Sequence, residues 1–138
     1  MELYLIPQPQ RCARLTGTAQ IDREAPVILS QPAGDARLLR AAQTIFANVQ
    51  CVQGPYALYS AGSFAAACPV RQPEGYLLTL RGAVVQLSAN DVAGLFYGIQ
   101  TLRQYLAMPA HPAVEITDWP ELALRSDYLD MRGIYPKF

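Results

Sequence analysis

With 138 residues, 51% of them hydrophobic, the chain can build one domain with a true core and is too short for two full ones. Charged residues make up 16% and the formal net charge is zero, which argues against a disordered chain and leaves no electrostatic footprint for nucleic acid or an anionic membrane. No apolar run is long enough to span a bilayer, so neither nucleic acid nor membrane is an expected partner.

In chain order, Leu3 to Ile6 reads as a short strand, closed by the Pro-rich turn at Pro7 to Gln10 because proline cannot sit in a central ladder. Arg11 to Gly17 is a second short strand. Pro26 to Ser30 is a third, and its Val-Ile-Leu run predicts burial on both faces or a place in the sheet centre. Asp35 to Val49 reads as the first helix. Gly34 and Asp35 offer the N-cap, and Leu38, Leu39, Ala42, Ile45, Phe46 and Val49 form its apolar stripe.

Tyr56 to Tyr59 reads as a strand, and Ser60 to Pro73, rich in Ala, Gly, Ser and Pro, as mostly loop. Gly75 to Ala89 is the best hairpin. Tyr76, Leu78 and Leu80 share one face by the period-two rule, Val85 and Leu87 share one face of the partner, and Gly82 supplies the turn. Asn90 to Met108 is the second helix, capped by Ser88, Asn90 or Asp91 and ended by Pro109. Its stripe is Val92, Leu95, Phe96, Ile99, Leu102 and Leu106. Gly94 and Gly98 each cost about 1 kcal/mol relative to alanine in a helix, so a close backbone approach to a neighbour is expected there. Ala113 to Thr117 is a strand, and Leu124 to Arg132 another. The expected fold is α+β: a mixed, largely antiparallel sheet with two helices packed on one face.

Chemistry is sparse. Cys12, Cys51 and Cys68 lack CxxC spacing and read as buried free thiols. With a single histidine, neither a zinc site nor a Ser-His-Asp arrangement is supported, and His111 reads as an exposed loop residue. Glycine-rich phosphate motifs and HExxH are absent, and no cofactor is expected. Most glycosidases need two carboxyl groups about 5 to 10 Å apart. The closest such pair late in the chain, Asp127 and Asp130, would point to opposite faces of a strand. Arg125, Asp130 and Arg132 otherwise read as surface charges.

Four segments in series carry a resemblance. Asn90 to Leu106 reads NDVAGLFYGIQTLRQYL, in which Gly94, Phe96, Tyr97, Gly98, Gln100, Thr101, Leu102 and Gln104 are pattern positions. Glu74 to Leu78, Ile116 to Pro120 and Leu124 to Arg132 are the others. Together they resemble the N-terminal domain of family 20 glycoside hydrolases, of the β-N-acetylhexosaminidase type. The resemblance implies that residues 1–119 are the non-catalytic α+β domain. Residues 120–138 would be the linker and the first strand of a (β/α)₈ barrel, the rest of which is not in this sequence. The family's catalytic Asp-Glu pair lies on a later barrel strand, so no catalytic residue is expected here. In its substrate-assisted mechanism the glutamate protonates the leaving oxygen, and the substrate's own acetamido carbonyl attacks. Arg125 aligns with the arginine that binds hydroxyls of the terminal sugar, with Ser126 in place of the usual glycine. The implied partners are the protein's own barrel and, through it, a glycan. Similar first domains occur in α-glucuronidases and O-GlcNAc-type hydrolases.

Two roles compete at this stage. The domain is a scaffold for the barrel, or it is a carbohydrate-binding module using a row of aromatics such as Tyr56, Tyr59, Tyr76 and Tyr97. The compartment is cytoplasmic if Met1 is the native start, and otherwise secreted or periplasmic with the signal removed. Residues after about Trp119 are expected to be mobile or to contact another molecule, because Tyr128, Leu129 and Met131 would lack their barrel.

Overall fold

The computed structural model describes Leu5 and residues 8–120. The expected strands at Leu3–Ile6 (Leu5 apart) and Leu124–Arg132, the tail after Pro120 and Arg125 lie outside the described residues. The elements are β1 (Arg11–Thr18), β2 (Val27–Gln31), α1 (Ala36–Gln43), β3 (Val49–Gln53), β4 (Ala57–Ser60), β5 (Tyr76–Arg81), β6 (Val84–Ala89), α2 (Val92–Leu106) and β7 (Pro112–Asp118).

The strands form one seven-stranded sheet in the order β1-β7-β5-β6-β4-β2-β3. Only β2 and β3 pair in parallel, joined by the crossover through α1, and every other neighbour is antiparallel. The expected α+β fold, mixed and largely antiparallel with two helices, is the observed one. α2 lies on β5 and β6, and α1 packs against α2 and reaches β3, so both helices share one face of the sheet.

Register explains the core. Leu29, Leu58, Leu87, Leu78 and Ile116 are successive cross-strand partners, so their side chains form one row on the same face. All five are buried beneath the helices, and full burial of each such side chain stabilises by about 1.5–3 kcal/mol. The β5–β6 hairpin is the one the alternation predicts. Its turn places Gly82 at φ +55°, the left-handed backbone that the first central residue of a two-residue II′ loop requires.

The sequence reading needs correction at both helices. α1 ends at Gln43 rather than continuing to Val49. Ile45 and Phe46 are buried, but from the turn after the helix, and Val49 begins β3, a strand the reading lacked. On α2 the buried face is Gly94, Leu95, Gly98, Ile99, Leu102 and Tyr105. Phe96 faces out at 37% exposure, and Tyr105 takes the place expected of it. Val92 and Leu106 lie at the margin of the core, partly buried.

The glycines of α2 have the crowded surroundings expected of them, by two different means. A Cβ on Gly94 would lie 2.5 Å from the backbone oxygen of Gly75, whereas one on Gly98 would meet the Leu87 side chain at 2.4 Å. Gly94 is thus the close backbone approach, and Gly98 is a socket for a leucine.

The three cysteines are free, but Cys12 and Cys51 are exposed on the two edge strands and Cys68 is half-buried, so the expectation of buried thiols does not hold. Burial of the Cys68 thiol, the largest influence on it, pushes its pKa up.

Candidate functional site

Two places in the fold gather polar side chains. The first is the C-terminal end of β7, where the chain leaves the sheet. Tyr76 on β5 is buried because it is the first inward residue of the hairpin. Its hydroxyl lies 2.5 Å from Oγ1 of Thr101 on α2 and donates, at 3.5 Å, to Oδ2 of Asp118. Asp118 Oδ1 accepts the backbone N–H of Gln10 at 3.0 Å, and the Gln10 amide reaches the Trp119 carbonyl at 3.4 Å. Tyr76, Thr101 and Asp118 come from three of the segments that carry the family resemblance, and the fold joins them in one network. It ties the helix layer, the sheet centre and the chain entering β1 to the point where β7 ends.

Burial raises the pKa of Asp118, against the lowering effect of hydrogen bonds from the Gln10 and Trp119 backbone and from Tyr76. Burial also holds the Tyr76 hydroxyl well above its ordinary value, so it is a neutral donor. The consequence for stability has a definite sign. A carboxyl whose folded pKa is raised contributes fully below its unfolded pKa, about 3.9, and that contribution is lost as pH rises through the folded value. Asp118→Asn, which keeps an acceptor for Gln10, is therefore expected to match the wild type near pH 3 and to melt higher at pH 7. Thermal unfolding across that range checks it, and a variant less stable at pH 7 than at pH 3 relative to wild type contradicts it.

The second place is the face of the sheet away from the helices. Its middle is covered by the segment from residue 61 to 75. Gln86 donates to Ser63 Oγ at 2.9 Å and to the Phe64 carbonyl, and Ser30, Ala57 and Ser88 are buried. Beside that covering segment, over β5, β7 and β1, lies an open cleft of about 440 Å³. Alternation along β7 turns Glu115, Thr117 and Trp119 to this side, and Arg11 and Leu77 are the cross-strand partners of Thr117. Residues Pro69 to Gln72 form the opposite wall. The Arg11 guanidinium sits 5.9 Å from the centre of the Trp119 ring, within cation–π range. The sequence reading missed this cleft. The only signal was the polar alternation of Glu115 and Thr117 among the apolar Ala113, Val114 and Ile116 of the same strand.

The other expected candidates do not assemble into a site. Tyr76 lies in the core, Tyr56 and Tyr59 are half-buried, and Tyr97 lies on the outer side of α2, so the four tyrosines make no row. His111 is half-buried rather than exposed. Its ring packs 5.1 Å from that of Tyr105, and its Nε2 is enclosed without a hydrogen-bond partner among the described residues. Tyr105 donates to the Pro112 carbonyl at 2.6 Å, and burial pushes its hydroxyl up to about 12. Among the described residues no group of three His, Cys, Asp or Glu is placed to hold a metal, and no helix is long and apolar enough to cross a membrane. The cleft is lined by one carboxylate, Glu115.

Among the described residues the architecture is that of an α+β domain whose strand β7 ends in a hydrogen-bonded network. The chain belongs to a glycosidase family: the model for glycosyl hydrolase family 20, domain 2, matches residues 2–119. Among solved structures it is similar to the β-N-acetylhexosaminidase from Bacteroides fragilis NCTC 9343, with 22% identity and a TM-score of 0.59 over 87% of this chain and 25% of that one. It is also similar to a glycoside hydrolase family 20 β-N-acetylglucosaminidase, with 28% identity and a TM-score of 0.55 over 86% of this chain and 23% of that one. The chain thus spans about a quarter of the length of these proteins.

Proposed function

We propose that this chain is the accessory, non-catalytic domain of a β-N-acetylhexosaminidase-type hydrolase, and that it supports a catalytic (β/α)₈ barrel beginning after Pro120. The observation that carries this reading is the network joining Thr101, Tyr76, Asp118 and Gln10. It fixes the direction in which the chain leaves β7, as a rigid joint between two folded units needs. Residues 120–138 are then the linker and the first barrel strand, and Arg125 binds hydroxyls of the terminal sugar. The barrel supplies the acid and the assisting carboxylate, and its substrate is a glycan ending in N-acetylhexosamine.

Support for a docked neighbour comes from α2. Phe96 and Tyr97 stand side by side on its outer surface, 37% and 39% exposed, with their rings edge-on at 6.1 Å. An aromatic pair left outside a well-packed core has the chemistry of an interdomain contact.

The test compares this chain with a version extended by the downstream coding sequence, both assayed on a chromogenic N-acetylglucosaminide. Only the extended protein is expected to turn over. Phe96→Glu is expected to destabilise the extended protein by about 2 kcal/mol, the scale of one buried aromatic. The shorter chain should change by less than about 0.5 kcal/mol, as for a surface substitution. Turnover by the shorter chain overturns the non-catalytic reading. Equal effects of Phe96→Glu on both proteins overturn the docking.

A further inference from the structure

We propose that the cleft on the outer face of the sheet binds a carboxylate-bearing sugar residue of a glycan. This site adjoins the joint at Asp118 through Trp119 but lies on the opposite face of the sheet from Tyr76, Thr101 and the aromatic pair on α2, and its assignment to a saccharide rests on membership of a glycosidase family.

The geometry supports a polar ligand of that size. The cleft, about 440 Å³, falls within the range of about 300–1,000 Å³ usual for small-molecule sites. Its lining combines one aromatic ring with planar polar groups. Trp119 brings the ring, Arg11 and Arg71 bring two guanidinium forks, and Glu115 and Gln72 bring a carboxylate and an amide. Rings that pack on the C–H surface of a sugar and planar groups that engage neighbouring hydroxyls in pairs are what saccharide recognition requires.

Charge decides the class of sugar. Two arginines face one glutamate, so the cleft carries an excess of one positive charge. Among the described residues the ion pair within contact distance is Arg37 with Asp35, at the N-terminus of α1, and neither Arg11 nor Arg71 forms one with Glu115. The Arg11 guanidinium carbon lies 5.9 Å from the centre of the Trp119 ring, so the cation and the aromatic ring share one part of the cleft. A planar guanidinium fork suits a carboxylate, which accepts two parallel hydrogen bonds. Glu115, on the adjacent strand position, accepts from hydroxyls of the same or the next ring. A neutral sugar would leave the guanidinium without its complementary charge.

The experiment uses the full chain, titrated with a tetrasaccharide of alternating glucuronate and N-acetylglucosamine, with neutral chitotetraose, and with acetate. Binding is followed by calorimetry and by the fluorescence of Trp119, the single tryptophan. The acidic tetrasaccharide is expected to bind saturably, at least tenfold tighter than chitotetraose or acetate. Arg11→Ala and Arg71→Ala should each weaken it at least tenfold. Arg40→Ala, on α1 across the sheet, should leave it unchanged, and unaltered melting would show that each variant is folded. No saturable binding, equal binding of chitotetraose, or equal binding of acetate overturns the proposal, as does full affinity in Arg11→Ala. Those outcomes leave the accessory-domain reading standing, because its own test is turnover and interdomain stability in the extended protein.

Discussion

Gly94→Ala is expected to lower the unfolding free energy by about 2–3 kcal/mol, although alanine is the better helix former by about 1 kcal/mol. The added methyl would lie 2.5 Å from the Gly75 oxygen and 3.1 Å from the Glu74 carbonyl carbon. Both are backbone atoms that cannot swing aside. Gly75 is held through its N–H to the Gln72 carbonyl and through its own carbonyl to the Asn90 N–H. To admit the methyl, α2 must lift from β5 or the preceding loop must detach. Gly98→Ala meets only the branches of Leu87, so its cost is smaller, about 1–2 kcal/mol, since Leu87 is buried and has little room. The two substitutions differ in coupling as well. Combined with Leu87→Ala, Gly98→Ala should cost less than the sum of the two, and Gly94→Ala should add in full. Urea unfolding of the five variants and the wild type checks this, and an unchanged midpoint for Gly94→Ala would refute the crowding.

Asp91→Ala is the second large effect, expected at about 2–3 kcal/mol. Asp91 is the N-cap of α2, and its Oδ1 accepts the Gly94 N–H at 2.8 Å. Its Oδ2 accepts the Glu74 N–H at 2.9 Å. One carboxylate thus starts the helix and anchors the residue that enters β5. Glu74 adopts φ +61°, left-handed backbone that a residue with a side chain takes only when its surroundings hold it there. Alanine removes the cap and the anchor together. Asparagine keeps one acceptor and should lose about half as much. Hydrogen exchange gives a local reading: the amides of Gly94 and Glu74 should lose protection in Asp91→Ala, while those of β2 and β4 should fall only with global stability. A loss confined to Gly94 would mean that the Glu74 contact contributes nothing.

Asp35 shows the same device at α1 without the same expected effect. It caps the helix through the Arg37 N–H at 2.9 Å and pairs with the Arg37 side chain. The Arg37 hydrogen bonds bring its carboxyl down to about 2, but the Arg37 side chain is 70% exposed, and contacts so screened by water are worth little.

Alternation and helical spacing are local, and what depends on them was legible in advance. The β5–β6 hairpin could be read from its inward residues and Gly82. The second helix could be read from its caps and stripe, and the crowding at Gly94 and Gly98 from the cost of leaving glycine there. The family resemblance picked out Tyr76, Thr101 and Asp118 as separate motif positions, and gave no indication that they touch. The overrun of α1 has a physical cause: Ile45, Phe46 and Val49 continue the helical spacing, yet a tight turn and a strand bury the same residues. Periodicity cannot separate those outcomes over so short a run.

The amino-acid sequence by itself determined the class of fold, the two helices α1 and α2, the central hairpin and the family, because each rests on patterns within a few residues or a few short motifs. Only the tertiary structure decided the order of the strands, the outward turn of Phe96 and the inward one of Tyr105. It alone brought Gln10 to Asp118 and set Arg11 and Arg71 across from Glu115 around one cleft. The reason is that those contacts join positions far apart in the chain. Pairing between strands distant in the chain, which no local pattern encodes, is what makes them neighbours.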